Sequence, residues 1–189
     1  AGGSANKQLL IVGSDGRGTA YGILELSRLA GVSPWVWWSD VTPEKRSQLT
    51  IDGNYKTFQS PSVEYRGIFL NDEDWSLQPW SWMTFEPSNI KGRIGPRTYK
   101  EIFKLLLRLR ANAIWPGMHG ITTPFYLVPG AKEVADSCGI AIGTSHCEPL
   151  MRSNVGEWSV KRRGDYNYIT NRDSVQAYWI ERLKEAGKY

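Results

Sequence analysis

A chain of 189 residues can bury one good core, or a small domain and a piece of another, but it falls short of the roughly 250 residues of a complete (β/α)8 barrel. Hydrophobic residues make up 41% and charged residues 22%, and no apolar stretch approaches the ~20 residues that span a bilayer, so a soluble globular protein without a membrane role is expected. The net charge of +4 is dispersed, and its densest cluster, Lys161-Arg162-Arg163, lacks the extended basic face that a phosphate backbone requires, so no nucleic-acid partner is expected.

In chain order, residues 1–6 are small and polar and read as a tail. Leu9 to Val12 is predicted as a strand, and the loop 14–18 opens a helix from about Thr19 to Ala30 that stops at Gly31. Glycines at 13, 16 and 18 do not have GxGxxG spacing, no GK[ST] follows, and Asp15 would repel phosphate. The loop is read as a turn, or as one that presents Asp15 and Arg17 to a neighbouring domain. Three tryptophans in Pro34-Trp35-Val36-Trp37-Trp38 sit where proline disfavours helix, and are expected to pack between two domains. The polar stretch 42–62, with turn signals at Asp52-Gly53-Asn54 and Ser60-Pro61-Ser62, is the expected domain junction.

Gly67-Ile68-Phe69-Leu70 has no polar alternation, as in a strand covered on both faces, and empties into Asn71-Asp72-Glu73-Asp74. The long connection Trp75 to Gly95 is rich in Trp, Pro and Gly, and its Trp75, Trp80, Trp82 and Phe85 are candidates to line a sugar subsite. Pro96 then starts a helix whose apolar face is Ile102, Phe103, Leu106, Leu107 and Leu109. A strand at Ala113 to Trp115, a helix from Ala131 to Cys138, a strand at Gly139 to Gly143 and a helix from about Asp173 to Ala186 complete the order. Strand and helix in alternation define an α/β class with a parallel sheet. Three strands deliver polar groups at their carboxyl ends, which in a (β/α) barrel is the catalytic face.

Nine Trp and nine Tyr give flat faces that pack on pyranose rings, although any one of them also serves as core. Hydrolysis of a glycosidic bond needs two carboxyl groups on opposite sides of the sugar, and Asp72 and Glu73 are the candidates here. Side chains diverge along a strand, so one of the pair is expected at the site and the other in a structural bond. His119, His146 and Glu148 also fall just past strands, but their spacing matches no HExxH or paired-Cys pattern, so no metal is expected. Cys138 and Cys147 make neither a disulfide framework nor a metal site.

Five segments, in order, carry a specific resemblance: Ser14 to Ile23, Val32 to Trp38, Tyr65 to Glu73, Asn112 to Met118 and Gly143 to Arg152. They resemble glycoside hydrolase family 115, the α-glucuronidases that remove glucuronic acid or its 4-O-methyl ether from xylan. The resemblance implies an α/β architecture in which residues 1–55 close an N-terminal α/β domain and residues 56–189 begin a (β/α)8 barrel with three of its eight strands. It further implies inversion, Asp72 as the catalytic residue, Asn71 beside it in the pocket, Trp115 and Met118 in the wall and His146 on the uronate. Arg17 and Glu148 complete the candidate substrate contacts. Cys147 stands where the family often repeats His, and Gly117 where Ala is frequent, which bears on pocket polarity and substrate preference.

The partner implied is glucuronoxylan or a related uronic-acid-bearing polysaccharide, with no cofactor, a possible homo-oligomer, and an extracellular or periplasmic location. A sequence that starts at Ala1 without a signal peptide is compatible with a trimmed secreted protein. The competing class is a non-catalytic carbohydrate-binding module that uses the Trp-rich loops. Three strands of an eight-stranded barrel cannot close, so open edges are expected at 67–70 and 140–143, with Leu106 and Leu109 exposed and the piece alone inactive, self-associating or partly unfolded.

Overall fold

A computed structural model describes residues 8–144 and 149–189. Asp15 caps the first helix, α1 (Gly16–Leu29), by accepting the Gly18 N–H at 2.7 Å, so the helix starts three residues before Thr19. The strand expected at Leu9 to Val12 is not formed. Leu10 and Val12 are 82% and 78% exposed, and a strand needs a neighbour that these residues lack among the described ones. Residues 41–66 carry neither helix nor strand.

Strand β1 (Gly67–Leu70) leads to a short helix, α2 (Leu77–Trp80), continued by a five-residue π-turn, Ser81–Phe85. Helix α3 (Pro96–Arg108) has proline in its first turn, and the distant Glu86 carboxylate accepts the N–H groups of Arg97 and Thr98, at 3.1 and 2.7 Å. Strand β2 (Ala113–Pro116), α4 (Ala131–Cys138) and β3 (Ala141–Ile142) follow. The chain then makes the short helices α5 (Asn154–Glu157) and α6 (Val160–Arg163) before α7 (Arg172–Ala186). The strands form one parallel sheet in the order β1-β2-β3, with Leu70 opposite Pro116 and Ile114 opposite Ile142.

The core lies between this sheet and α3 and α4. It is built from Tyr99, Ile102, Phe103 and Leu106 of α3, Ile114 of β2, Ala131 and Ala135 of α4, and Ile94, Phe125, Val128 and Ile140 from the connections. Two expectations change here. Leu106 is 1% exposed rather than open, because it faces this core, whereas Leu109 at the end of α3 is 47% exposed. Strand β1 is not covered on both faces: Ile68 and Phe69 are 46% and 44% exposed, since β1 lies at the edge of the described sheet. The third strand pairs over only Ala141–Ile142, because Gly139 is spent as the left-handed cap of α4.

Aromatic packing ties the Trp-rich segment down. Trp37 meets Trp38, Trp80 and Phe85 edge-on at 4.9, 5.9 and 5.1 Å, and the Trp38 indole donates to the Glu101 carbonyl of α3 at 3.3 Å. Helix α1 packs on α3. Their joint is polar: buried Glu25 accepts hydrogen bonds from Arg28 at 2.6 and 3.0 Å, from the Tyr55 hydroxyl at 2.9 Å and from Arg110 at 2.5 Å. The Arg28 bonds, helped by Tyr55 and Arg110 and opposed by desolvation, hold the Glu25 carboxyl at about 2.

A carboxylate depressed in the fold stabilises it above the unfolded pKa and loses that contribution as pH falls through the folded value. Stability is therefore expected to drop between about pH 4.5 and about 2. Thermal unfolding across that window should show a shallower drop for Glu25→Gln, and an identical profile would remove Glu25 from the account.

Candidate active site

Parallel register sets the carboxyl ends of β1, β2 and β3 on one side, so Asn71-Asp72-Glu73, Gly117-Met118-His119 and Gly143-Thr144 share that side. Asn71 is exposed there, while Asp72 turns inward and is only 3% exposed. Its two carboxylate oxygens share the His119 backbone N–H at 3.3 and 3.2 Å, and its carbonyl accepts the Thr122 hydroxyl at 2.8 Å. One N–H shared at such lengths leaves acceptor positions on the carboxylate for a water or a hydroxyl.

Burial raises the Asp72 pKa, against the opposing pull of Thr122 and His119 and with a small push from Glu73. A carboxyl group that protonates more readily than usual suits proton transfer. In the neighbouring Glu73, Oε2 is buried with no hydrogen-bond partner among the described residues.

Two glycines make this geometry possible. A Cβ on Gly117 would lie 2.3 Å from the Asp72 Cγ, so the carboxylate occupies the space that a side chain there would take. A Cβ on Gly143 would lie 2.1 Å from the Trp115 ring, so the indole rests against the end of β3. Trp115 is 53% exposed, and its register partner Phe69 stands beside it. With Ile114 in the core on the alternate face, this aromatic pair marks the side of the sheet turned away from the helices. Met118 is buried behind the β2 turn, and His119, exposed, contributes its backbone N–H.

Arg17 is not brought to this face. Its guanidinium donates to the Gly139 carbonyl at 3.2 Å, at the carboxyl end of α4 and before β3, which is the opposite end of the sheet from Asp72. Arg17 therefore caps a helix and joins α1 to the α4–β3 turn. His146 and Glu148 lie outside the described residues, as does Cys147.

Of the four aromatics considered for a sugar subsite, Trp80 and Phe85 stack on each other at 4.9 Å inside the aromatic cluster, and Trp82 donates to Gln78 at 3.1 Å. Only Trp75, 78% exposed and just beyond Asp74, remains open. Gly143, Thr122 and the His119 amide do not stand out in the sequence as parts of the site, whereas Gly117 does through the resemblance. A glycine one residue past the end of a strand is the sequence signal that could have found Gly143.

Two clefts, of about 480 and 530 Å³, lie away from this face, where α1 meets residues 55–66 and Arg110. Among the described residues no group of three or more His, Cys, Asp or Glu is placed to hold a metal ion, and no helix is long and apolar enough to cross a membrane.

A parallel β/α layer with a buried carboxylate and an exposed indole at its strand ends defines a class of α/β proteins whose sites lie at that edge. Within that class, the family model for glycosyl hydrolase family 115 matches residues 58–189, and the chain belongs to this family. Among solved structures, it is similar to one described as a novel family GH115 4-O-methyl-α-glucuronidase, BtGH115A, with specificity for decorated arabinogalactans. The two are 58% identical with a TM-score of 0.86, over 92% of this chain and 23% of that one. Comparison with curated proteins gives no match.

Proposed function

We propose that the full-length protein carrying this chain is an exo-acting α-glucuronidase. It removes glucuronic acid or 4-O-methylglucuronic acid side chains from a polysaccharide by inversion. The observation that carries this reading is Asp72, buried just past the end of β1 with a pKa raised by that burial, on the side of the sheet where the strands end and where Trp115 is exposed. In this reading residues 1–55 close an N-terminal α/β domain. Residues 56–189 begin a (β/α)8 barrel, whose later strands bring the second carboxylate, and the side of the sheet with Phe69 and Trp115 faces its interior.

Inversion requires two carboxyl groups ~6.5–9.5 Å apart, one protonating the leaving oxygen and one activating water on the other face of the sugar. Asp72 activates or positions that water, or bonds a hydroxyl of the reacting sugar. Trp115 supplies an apolar face for the pyranose. Asn71 and Met118 complete the wall near it, and His146 and Glu148 meet the uronate end, with His146 donating to its carboxylate. The similar structure's specificity for decorated arabinogalactans supports such polysaccharides as substrates, ahead of the glucuronoxylan expected from sequence. An extracellular or periplasmic location follows from substrates too large to cross a membrane.

The test is release of uronic acid by the full-length protein from decorated arabinogalactan and from glucuronoxylan, alongside binding of oligosaccharides with and without the uronate branch. Release from the branched substrates is expected, with tighter binding of the branched oligosaccharides. No release and equal affinity for both would instead indicate a binding module. His146→Ala is expected to weaken glucuronate-bearing substrates by ~1.5–3 kcal/mol, the worth of a charge-assisted bond, and neutral analogues less. A uniform loss would make His146 structural.

A further inference from the structure

Two adjacent residues beyond β3, Leu150 and Met151, hold left-handed backbone, with φ of 54° and 57°. Side chains disfavour that conformation, so groups outside the turn must hold it. The Met151 N–H donates to Thr144 Oγ1 at 3.1 Å, and the Met151 carbonyl accepts from Arg182 Nη1 at 2.8 Å. Arg182 belongs to α7 and is 1% exposed.

Its Nη2 donates to Glu157 at 2.7 Å, its guanidinium lies 4.2 Å from the Tyr126 ring centre, and its Nε is 3.1 Å from the Glu185 carboxylate without an aligned hydrogen bond. Glu157 also accepts from Arg152 Nη1 at 2.7 Å and from the Ser153 N–H at 2.9 Å. A fully buried arginine gains a fold little stability, because desolvation offsets the attraction of its partners. What its rigid fork supplies is direction, since it can hold one carbonyl and one carboxylate at once.

We propose that Arg182 is a positioning residue of the candidate site. By fixing the Met151 carbonyl it holds the left-handed turn. Through the Met151–Thr144 bond, the turn in turn fixes the chain where β3 ends, beside Gly143 and the Trp115 indole that rests on it. The activity readout of this inference rests on the glucuronidase reading, and its structural readout does not.

The test uses the full-length protein with two conservative variants. Arg182→Lys keeps the charge and loses the fork, and Thr144→Val removes the acceptor at the other end. Each is expected to raise KM for an oligosaccharide bearing 4-O-methylglucuronate about tenfold, with a smaller change in kcat. A merely structural role would lower the active fraction and leave KM unchanged.

Because both variants act through Met151, their effects are expected not to multiply in the double variant. Amide hydrogen exchange should quicken at Met151 in each, while Ile114 in β2 stays protected. Unchanged KM and unchanged Met151 exchange in both variants, or multiplicative effects, would overturn the proposal. If Arg182→Lys does not fold, Thr144→Val alone decides on the same two readouts. A wild type that cleaves no such oligosaccharide would sink the glucuronidase reading, and Met151 exchange in the variants would still decide the role of Arg182.

Discussion

Asp72→Asn in the full-length protein is expected to lower turnover by at least ~10²-fold, the low end of the loss when a positioned acid or base is removed. Loss of fold should not be the cause. Burial raises the Asp72 pKa, so the charged form is disfavoured in the folded state and its cost is present above the folded pKa. Neutral asparagine removes that cost. The variant should therefore melt at or slightly above the wild-type temperature at neutral pH, with the difference vanishing as pH falls and Asp72 itself becomes protonated. Wild-type turnover with an intact fold would remove Asp72 from the chemistry, and a lower melting temperature would make it a structural group.

The largest effect on stability is expected at Glu157. Its side chain is 4% exposed and answers two guanidinium groups, Arg152 at 10% and Arg182 at 1%. Arg152 also donates to the Tyr178 carbonyl through Nε and Nη2, at 3.1 and 2.6 Å, so the network crosses from the segment beyond β3 to α7. Glu157→Ala leaves both cations buried around an empty place, which costs ~3–5 kcal/mol when one partner of a buried pair is removed. Denaturant unfolding would measure it as a fall in midpoint. A loss under about 1 kcal/mol would mean that water or Glu181 takes over the role.

Elements whose cause is local were legible in the sequence. Pro96 marks a helix start and Gly139 a helix end, and the apolar runs at 67–70 and 113–115 that stop at polar residues give two strands and the side on which they deliver Asp72 and Trp115. What depended on distant partners was not. Leu9 to Val12 has the composition of a strand, but a strand exists only against a neighbour.

Arg17 looks like a ligand residue in its loop, yet its partner is a carbonyl 122 residues away. Trp80 and Phe85 are spent on Trp37, which no local pattern reveals. The ion networks around Glu25 and Glu157 join residues as far apart as 85 and 25 positions, and in sequence each member reads as an ordinary solvated charge. The position of Asp72 is a shared property: the carboxylate lies where it does because residue 117 has no side chain and the next turn offers an N–H.

The most direct measurement is a structure of the full-length protein with glucuronic acid bound. The account predicts the pyranose against the Trp115 indole, with a sugar hydroxyl or a water ~2.6–3.2 Å from an Asp72 carboxylate oxygen, the reach expected of a positioned acid or base. A sugar seated elsewhere, with both Asp72 oxygens still turned to the His119 amide, would contradict it.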